Sequence, residues 1–170
     1  MAGAAIAAVP LLPRAIARVP PAHHFFSDDE FRLVDELAEL IIPADDHSPG
    51  ARAALVADYI DARLGETTEK DWQETWRSGL KLVDDLASQM HGKAFLNTSG
   101  EQRVATLTRM ATNEGHPQTA AERFFQELKL RVVRGYYSSN VGIHQDMEYK
   151  GNVYQPGDFA GIDVTSTPER

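Results

Sequence analysis

The chain has 170 residues, of which 42% are hydrophobic, and 25 acidic against 17 basic residues give it a formal net charge of −8. It contains no run rich in lysine and arginine, so its composition argues against nucleic-acid binding. Because it contains no cysteine, it has no disulfide framework, no thiolate chemistry and no Cys-x-x-Cys-His attachment for a c-type haem.

The N-terminus has the pattern of a secretory signal. Residues 1–12 read MAGAAIAAVPLL, and Ala15-Ile16-Ala17 provides an A-x-A cleavage pattern, although a positively charged n-region is missing. We therefore expect residues 1–17 to be a truncated signal of the twin-arginine type, and residues 18–170 to form a single helical domain. The alternative is a tail rich in alanine and proline. The apolar run is shorter than the roughly 20 residues that span a bilayer.

Apolar residues at helical spacing, bounded by capping residues, predict five helices. The expected spans are residues 28–41, 49–64, 69–90, 100–113 and 120–137. Ser27 with Glu30, and Thr119 with Glu122, are capping boxes that open the first and last of these helices. No segment shows the alternation of a strand, so the prediction is an all-α, bundle-like domain.

The same spacing predicts which side chains are buried. In the core we expect Trp76, Leu80, Val83, Leu107, Leu128 and Val132. Also expected on inward faces are Ala51, Ala54, Leu55, Tyr59, Met90, Val104 and Tyr136. Trp72 lies about one helical turn before Trp76, and it is either a core residue or an exposed anchor for a partner.

A long irregular segment follows the fifth helix. Residues 133–154 read VRGYYSSNVGIHQDMEYKGNVY, with four tyrosines and several glycines. Disordered segments are poor in aromatic residues, so we expect an ordered C-terminal arm from Gly135 to Gly161. The arm covers either the protein's own core or a partner.

Two groups of polar residues are candidates for chemistry. Asp45 and His47, together with His144 and Asp146, offer oxygen and nitrogen ligands for a metal. The competing interpretation is a solvated turn that caps the second helix, because the Glu-x-x-His spacing of helical di-iron sites is absent. The sequence also lacks a dinucleotide fingerprint, a phosphate loop and a nucleophile elbow.

The arm and an upstream segment carry a family resemblance. The runs GYYSSNVGI, MEYKGN and VYQPGDFAG in the arm, and IIPADDHSPGA at residues 41–51, resemble the signatures of the gluconate 2-dehydrogenase subunit 3 family. The chain departs from the pattern at Ala160-Gly161-Ile162, where the family often has a Gly-Cys element.

The resemblance implies a non-catalytic small subunit of a membrane-associated, FAD-dependent (GMC-type) sugar, sugar-acid or polyol dehydrogenase in the periplasm. FAD belongs to the large subunit, and haem c belongs to the cytochrome c subunit that often completes the complex. The small subunit would stabilise the flavoprotein and aid its export by the twin-arginine machinery. The interface would use Tyr137, His144, Tyr149, Asn152, Tyr154 and Trp72.

Two other functions remain open at this point. One is a metal-dependent hydrolase or lyase that uses Asp45, His47, His144 and Asp146. The other is a free-standing module in which the tyrosine-rich arm closes as a lid over a small ligand.

Overall fold

The structure, a computed structural model, describes residues 23–149 and residue 151. All regular elements in this part of the chain are helical, which confirms the all-α prediction. The helices are α1 (Asp28–Ile41), α2 (Gly50–Ala53), α3 (Val56–Glu66), α4 (Lys70–His91), α5 (Gly100–Met110) and α6 (Ala120–Tyr137). A 3₁₀ turn at Phe95–Asn97 links α4 to α5, and a π-helical turn at Gly142–Asp146 follows α6. The predicted signal, residues 1–17, lies outside the described residues.

Capping boxes set the N-terminal ends of three helices. The Ser27 side chain accepts from the Glu30 N–H, and the Glu30 carboxylate accepts from the Ser27 N–H. Thr119 and Glu122 do the same at α6, and Ser99 does so at α5. Each box satisfies backbone donors that a helix terminus leaves without partners. The bounds predicted for α1 and α6 are confirmed for this reason.

The second predicted helix is wrong as a single element. It is divided at Leu55, whose φ of 55° and ψ of 41° place it in the left-handed region that non-glycine residues seldom adopt. The break separates α2, which contacts α1, from α3, which packs on both α1 and α6. Leu55 was expected to face inward, but its side chain is exposed at the break.

The core lies between α1, α3, α4 and α6, and its aromatic centre is Trp76 against Phe124, with ring centroids 5.5 Å apart. The six core residues predicted from spacing are all buried: Trp76, Leu80, Val83, Leu107, Leu128 and Val132. The inward placement of Met90 and Val104 is wrong. Met90 is in the last turn of α4, and Val104 lies at the edge of a surface groove. Helical spacing predicts a face, and it does not predict where the neighbouring elements end.

A buried carboxylate holds the segment that leads into α1. Asp61 on α3 accepts hydrogen bonds from the backbone N–H groups of His24, Phe25 and Phe26, at 2.6, 2.9 and 2.8 Å. Arg77 on α4 donates to the Phe25 carbonyl and lies over the Phe25 ring. A buried charge is costly unless it is hydrogen bonded, and here three amides satisfy it. The lead-in is therefore an integral part of the fold.

Over residues 23–149 and 151, none of the helices combines the length and the apolar character that crossing a membrane requires.

Candidate functional site

The two segments that carry the family resemblance meet in space. The loop between α1 and α2, residues 42–49, packs against the end of α6 and the segment after it, residues 136–149. The Ser48 Oγ and the Tyr136 hydroxyl lie 2.6 Å apart, and both residues are buried. We call this contact region the motif junction. It joins positions that are 88 residues apart in the chain.

Asp45 organises the loop side of the motif junction. Its carboxylate accepts from the backbone N–H groups of His47 (2.8 Å) and Ser48 (2.6 Å), and its own N–H donates to the Ser48 carbonyl. The hydrogen bonds from Ser48 and His47 lower the pKa of Asp45 below its usual value, because they favour the ionised form. The Asp45 carboxylate thus stabilises the turn through hydrogen bonds to the backbone of the turn itself.

Glu39 and Gly50 fix the loop to the helices on either side. The Glu39 carboxylate accepts from the Ala44 N–H at 3.1 Å and from the Arg52 N–H at 2.8 Å. Gly50 has a φ of +85°, and a Cβ at this position would lie 2.7 Å from both the Ala44 nitrogen and Glu39 Oε1. Only glycine combines this backbone conformation with so close an approach. Steric constraints therefore require glycine at position 50, where α2 begins.

The arm side of the junction is more regular than the sequence indicates. Residues 142–146 form a π-helical turn, in a segment for which no helical periodicity was predicted. A Cβ on Gly142 would lie 2.2 Å from the Tyr136 carbonyl oxygen, so this turn packs directly on the end of α6. The change from α to π hydrogen bonding over a few residues leaves no recognisable apolar period in the sequence.

Asp146 connects both sides of the motif junction. His47 Nε2–H donates to the Asp146 carbonyl at 2.9 Å, and the carboxylate Oδ1 lies 3.9 Å from the same nitrogen. The Asp146 carboxylate also acts on the Tyr137 hydroxyl. Partial burial of the phenol, and then the charge and hydrogen bond of Asp146, raise the pKa of Tyr137 above its usual value.

The four candidate metal ligands are not brought together as a cluster. His47 reaches Asp146, whereas Asp45 turns toward its own loop and His144 Nδ1–H donates to the Tyr149 carbonyl at 3.0 Å. Among the residues that the structure describes, no group of three or more histidine, aspartate or glutamate side chains is arranged to hold a metal ion. The geometry gives His47 and Asp146 a structural role in joining the loop to the arm.

The proposed lid also has a described portion. Side chains of the arm line a depression of about 610 Å³ between His144, Gln145, Glu148 and Tyr149. This depression opens broadly to solvent, whereas small-molecule sites bury most of their ligand's surface. The described part of the arm does not enclose a ligand.

The interface candidates occupy different environments. Tyr137 is 43% exposed and Tyr149 is 51% exposed, and His144 is also at the surface. Trp72 is half-buried, because its Nε1–H donates to Glu127 at 2.7 Å and the Arg131 guanidinium lies over its ring. Asn152 and Tyr154 lie outside the described residues.

Sequence reasoning missed three exposed apolar side chains near the candidates: Leu130, Val133 and Met147. The spacing of Leu130, Val133 and Tyr137 on α6 is itself a detectable signal. These three share a face that is offset from the one carrying Leu128, Val132 and Tyr136. A helix with a second apolar stripe has more apolar surface than its own core uses.

The fold and the motif junction define a small all-α protein in which two distant sequence motifs build one structural unit. A family model described as Gluconate 2-dehydrogenase subunit 3 matches residues 28–157, most of the chain. The chain therefore belongs to the gluconate 2-dehydrogenase subunit 3 family, and the resemblance of its motifs is confirmed. Membership makes it an accessory subunit of a dehydrogenase complex, which is an oxidoreductase assembly. No curated protein and no solved structure matches the chain.

Proposed function

We propose that this chain is the non-catalytic small subunit of a membrane-associated, FAD-dependent (GMC-type) dehydrogenase that oxidises a sugar, a sugar acid or a polyol. Its role is to stabilise the flavoprotein subunit. The family assignment supports membership in a dehydrogenase complex, and the motif junction supports a role in binding a partner. The proposal assigns FAD to the large subunit and haem c to a cytochrome c subunit.

The observation that carries this proposal is the construction of the motif junction. Its inner part is the buried, hydrogen-bonded pair of Ser48 and Tyr136, the exposed Asp45 carboxylate holds the loop, and its outer part presents Tyr137 and Tyr149 to solvent. Tyrosine is enriched at the energetic centres of protein interfaces, because it combines a large apolar area with a polar tip. A rigid scaffold that displays tyrosines is better suited to binding a protein surface than to catalysis.

The location of the cofactors can be tested directly. The chain contains neither a dinucleotide fingerprint nor a cysteine, so we expect the purified protein to bind no FAD and to show no dehydrogenase activity. The measurement is an absorption spectrum and an activity assay on the chain alone and on the complex. A flavin spectrum that persists after the isolated chain is unfolded and refolded with FAD would refute this assignment.

Export is the second part of the proposal. Residues 1–17 resemble a signal, and we propose that the twin-arginine machinery exports this chain with its flavoprotein partner to the periplasm. Mass spectrometry of the protein from periplasmic and cytosolic fractions is the test. We expect the periplasmic form to begin after Ala17. A cytosolic protein that retains Met1 contradicts both the location and the export role.

The interface is tested by co-expression with the flavoprotein and affinity purification. Truncating Tyr137 or Tyr149 to alanine should reduce recovery of the flavoprotein by about tenfold or more, because truncated interface hot spots cost about 2 kcal/mol or more. Met90→Ala is the control, since Met90 is similarly exposed but lies at the end of α4. Circular dichroism shows whether the variants keep the helical fold.

Two outcomes would contradict the proposal in different ways. If both tyrosine variants recover the flavoprotein at the wild-type level, the arm is not the interface, and the half-buried Trp72 face is then tested in the same way. If the wild-type chain recovers no flavoprotein under conditions in which both are folded, the accessory role itself is wrong.

A further inference from the structure

A groove between α1, α5 and α6 has an apolar lining and no occupant among the described residues. Its volume is about 250 Å³. The lining includes Leu40, Ile41, Val104, Leu107, Phe125 and Lys129. Val104 is 52% exposed there, although Leu107 and Met110 on the same helix are buried. The groove leaves this apolar surface in contact with solvent.

The α6 wall of the groove continues along the helix as a ridge. Phe125, Lys129, Val133 and Tyr137 follow one another at intervals of four residues, so neighbouring members are about 5–6 Å apart on one side of α6. Val133 is 37% exposed and Leu130, beside it, is 56% exposed. From Phe125 to Tyr137 the ridge is about 18 Å long, at 1.5 Å per residue.

Groove and ridge connect with the motif junction at two points. Ile41, in the groove lining, is the first residue of the segment IIPADDHSPGA. Tyr137, at the far end of the ridge, packs edge-to-face on the ring of Tyr136 in the junction, with ring centroids 5.1 Å apart. The apolar surface is therefore continuous with the region that the proposed function assigns to the partner.

The charge on α6 indicates the sign of the charged groups that the occupant carries. α6 has four basic residues and two acidic ones, in a chain whose net charge is −8. Glu122 is buried, Glu127 is bound to Trp72 and Arg131, and Lys129 is paired with Glu114 at 2.5 Å. Arg134 is exposed next to Val133 and makes no ion pair with any residue that the structure describes. The ridge is thus apolar with a basic edge.

We infer that the groove and the α6 ridge bind an amphipathic segment of the flavoprotein subunit, with apolar side chains on one side and carboxylates at its edge. Charge complementarity to the exposed Arg134 accounts for the carboxylates at the edge of the segment, and the ridge length corresponds to about three helical turns. This inference rests on the proposed function. An anionic membrane surface is disfavoured as the occupant, because it repels a protein with a net charge of −8.

The test uses the full chain co-expressed with the flavoprotein. Val133→Asp and Val104→Asp place a carboxylate on the apolar surface, and Arg134→Glu reverses the edge charge. Each should lower flavoprotein recovery about tenfold or more, which corresponds to the loss of one interface hot spot. Met90→Asp is the matched control, since Met90 is 40% exposed but does not line the groove. Circular dichroism of each isolated variant verifies its fold.

A photo-crosslinking residue at position 133 identifies the occupant. The expected product joins this position to a flavoprotein peptide that contains both apolar residues and aspartate or glutamate. A crosslink to residues 152–170 of the same chain, or to a second copy of the chain, overturns the inference. So does wild-type recovery of the flavoprotein by both Val133→Asp and Val104→Asp, and in that case the accessory role stands without this surface.

Membrane binding is distinguished by sedimentation with vesicles of phosphatidylcholine and phosphatidylglycerol. If wild-type protein sediments with these vesicles, Val133→Asp does not, and flavoprotein recovery is unchanged by the variant, the surface binds lipid and the inference is wrong. If wild-type protein recovers no flavoprotein at all, the proposed function and this inference are both rejected.

Discussion

The hydroxyl groups of Ser48 and Tyr136 lie 2.6 Å apart in the buried interior between the α1–α2 loop and α6. Ser48 Oγ also accepts from the Gly50 N–H at 3.2 Å, so the Tyr136 hydroxyl is hydrogen bonded to a serine that is already part of the start of α2. Through this pair, a residue in the core of α6 fixes the position of a surface loop. The outer face of the motif junction depends on this internal support.

Removing either hydroxyl should weaken the loop. Ser48→Ala and Tyr136→Phe each delete one partner of a buried hydrogen bond, and we expect each to destabilise the protein by about 1 kcal/mol. Because the two groups share one interaction, the double variant should cost less than the sum of the single variants, with a coupling on the order of 0.5–1.5 kcal/mol. Urea denaturation of the four proteins measures this. Strict additivity would show that the hydroxyls act independently.

The core assignment is tested by two neighbouring leucines on α6. Leu128 is fully buried, and its truncation to alanine should reduce the free energy of unfolding by about 2–5 kcal/mol. Leu130 is two residues away but exposed, so Leu130→Ala should change stability by no more than about 0.5 kcal/mol. Chemical denaturation with tryptophan fluorescence reports both values. Equal costs for the two variants would contradict the assigned faces of α6.

The loop should lose stability in acid through Asp45. Hydrogen bonds from the Ser48 and His47 amides lower the pKa of Asp45 in the folded protein, while the unfolded chain has the ordinary value of about 3.9. A lowered folded pKa means that the carboxylate contributes stability above the unfolded pKa. That contribution is lost as the pH falls through the folded pKa.

Asp45→Asn isolates this contribution. We expect the variant to have a lower melting temperature than the wild type at pH 7, with the difference narrowing below about pH 4 as Asp45 protonates. Thermal melts followed by circular dichroism from pH 3 to pH 7 give the comparison. Asp46→Asn is the control, because Asp46 is exposed and makes no comparable hydrogen bonds within the described loop. A constant difference across this pH range would remove Asp45 as the titrating group.

The fold was largely predictable because local signals and packing agree. The capping boxes at Ser27 and Thr119 specify the starts of α1 and α6, and the apolar spacing of α4 and α6 specifies their buried faces, except for Met90 in the last turn of α4. The break at Leu55 was not predictable. A leucine in the left-handed region is locally unfavourable, and tertiary contacts of α2 with α1 and of α3 with α6 determine it.

The candidate site was predictable only in part. Motif residues such as Tyr137 and His47 could be selected from the sequence, but the pairing of His47 with Asp146, 99 residues away, depends on how α1 and α6 pack. For Trp72 the sequence left open whether the side chain is buried or exposed. It is half-buried, because it forms a hydrogen bond to Glu127 and stacks with Arg131. Spacing on one helix cannot reveal such partners. The groove also escaped prediction, since three separate helices form it.

We expect the addition of a single methyl group at Gly142 to displace the arm. An added Cβ would lie 2.2 Å from the Tyr136 carbonyl oxygen and 2.8 Å from its carbonyl carbon. These atoms belong to the backbone of α6, so they cannot rotate away as a flexible side chain would. In Gly142→Ala the π-helical turn must therefore move off α6. That movement breaks the contacts of Asp146 with His47 and Tyr137.

We expect Gly142→Ala to destabilise the protein by about 1–3 kcal/mol, in the range for forced overpacking. Amide hydrogen exchange should accelerate across residues 138–149, with little change in α4 or in the first half of α6, and recovery of the flavoprotein should fall. Gly100→Ala is the matched control, because a Cβ there has no neighbouring atom within 4 Å. If Gly142→Ala exchanges like the wild type and keeps its partner, the arm does not depend on this contact.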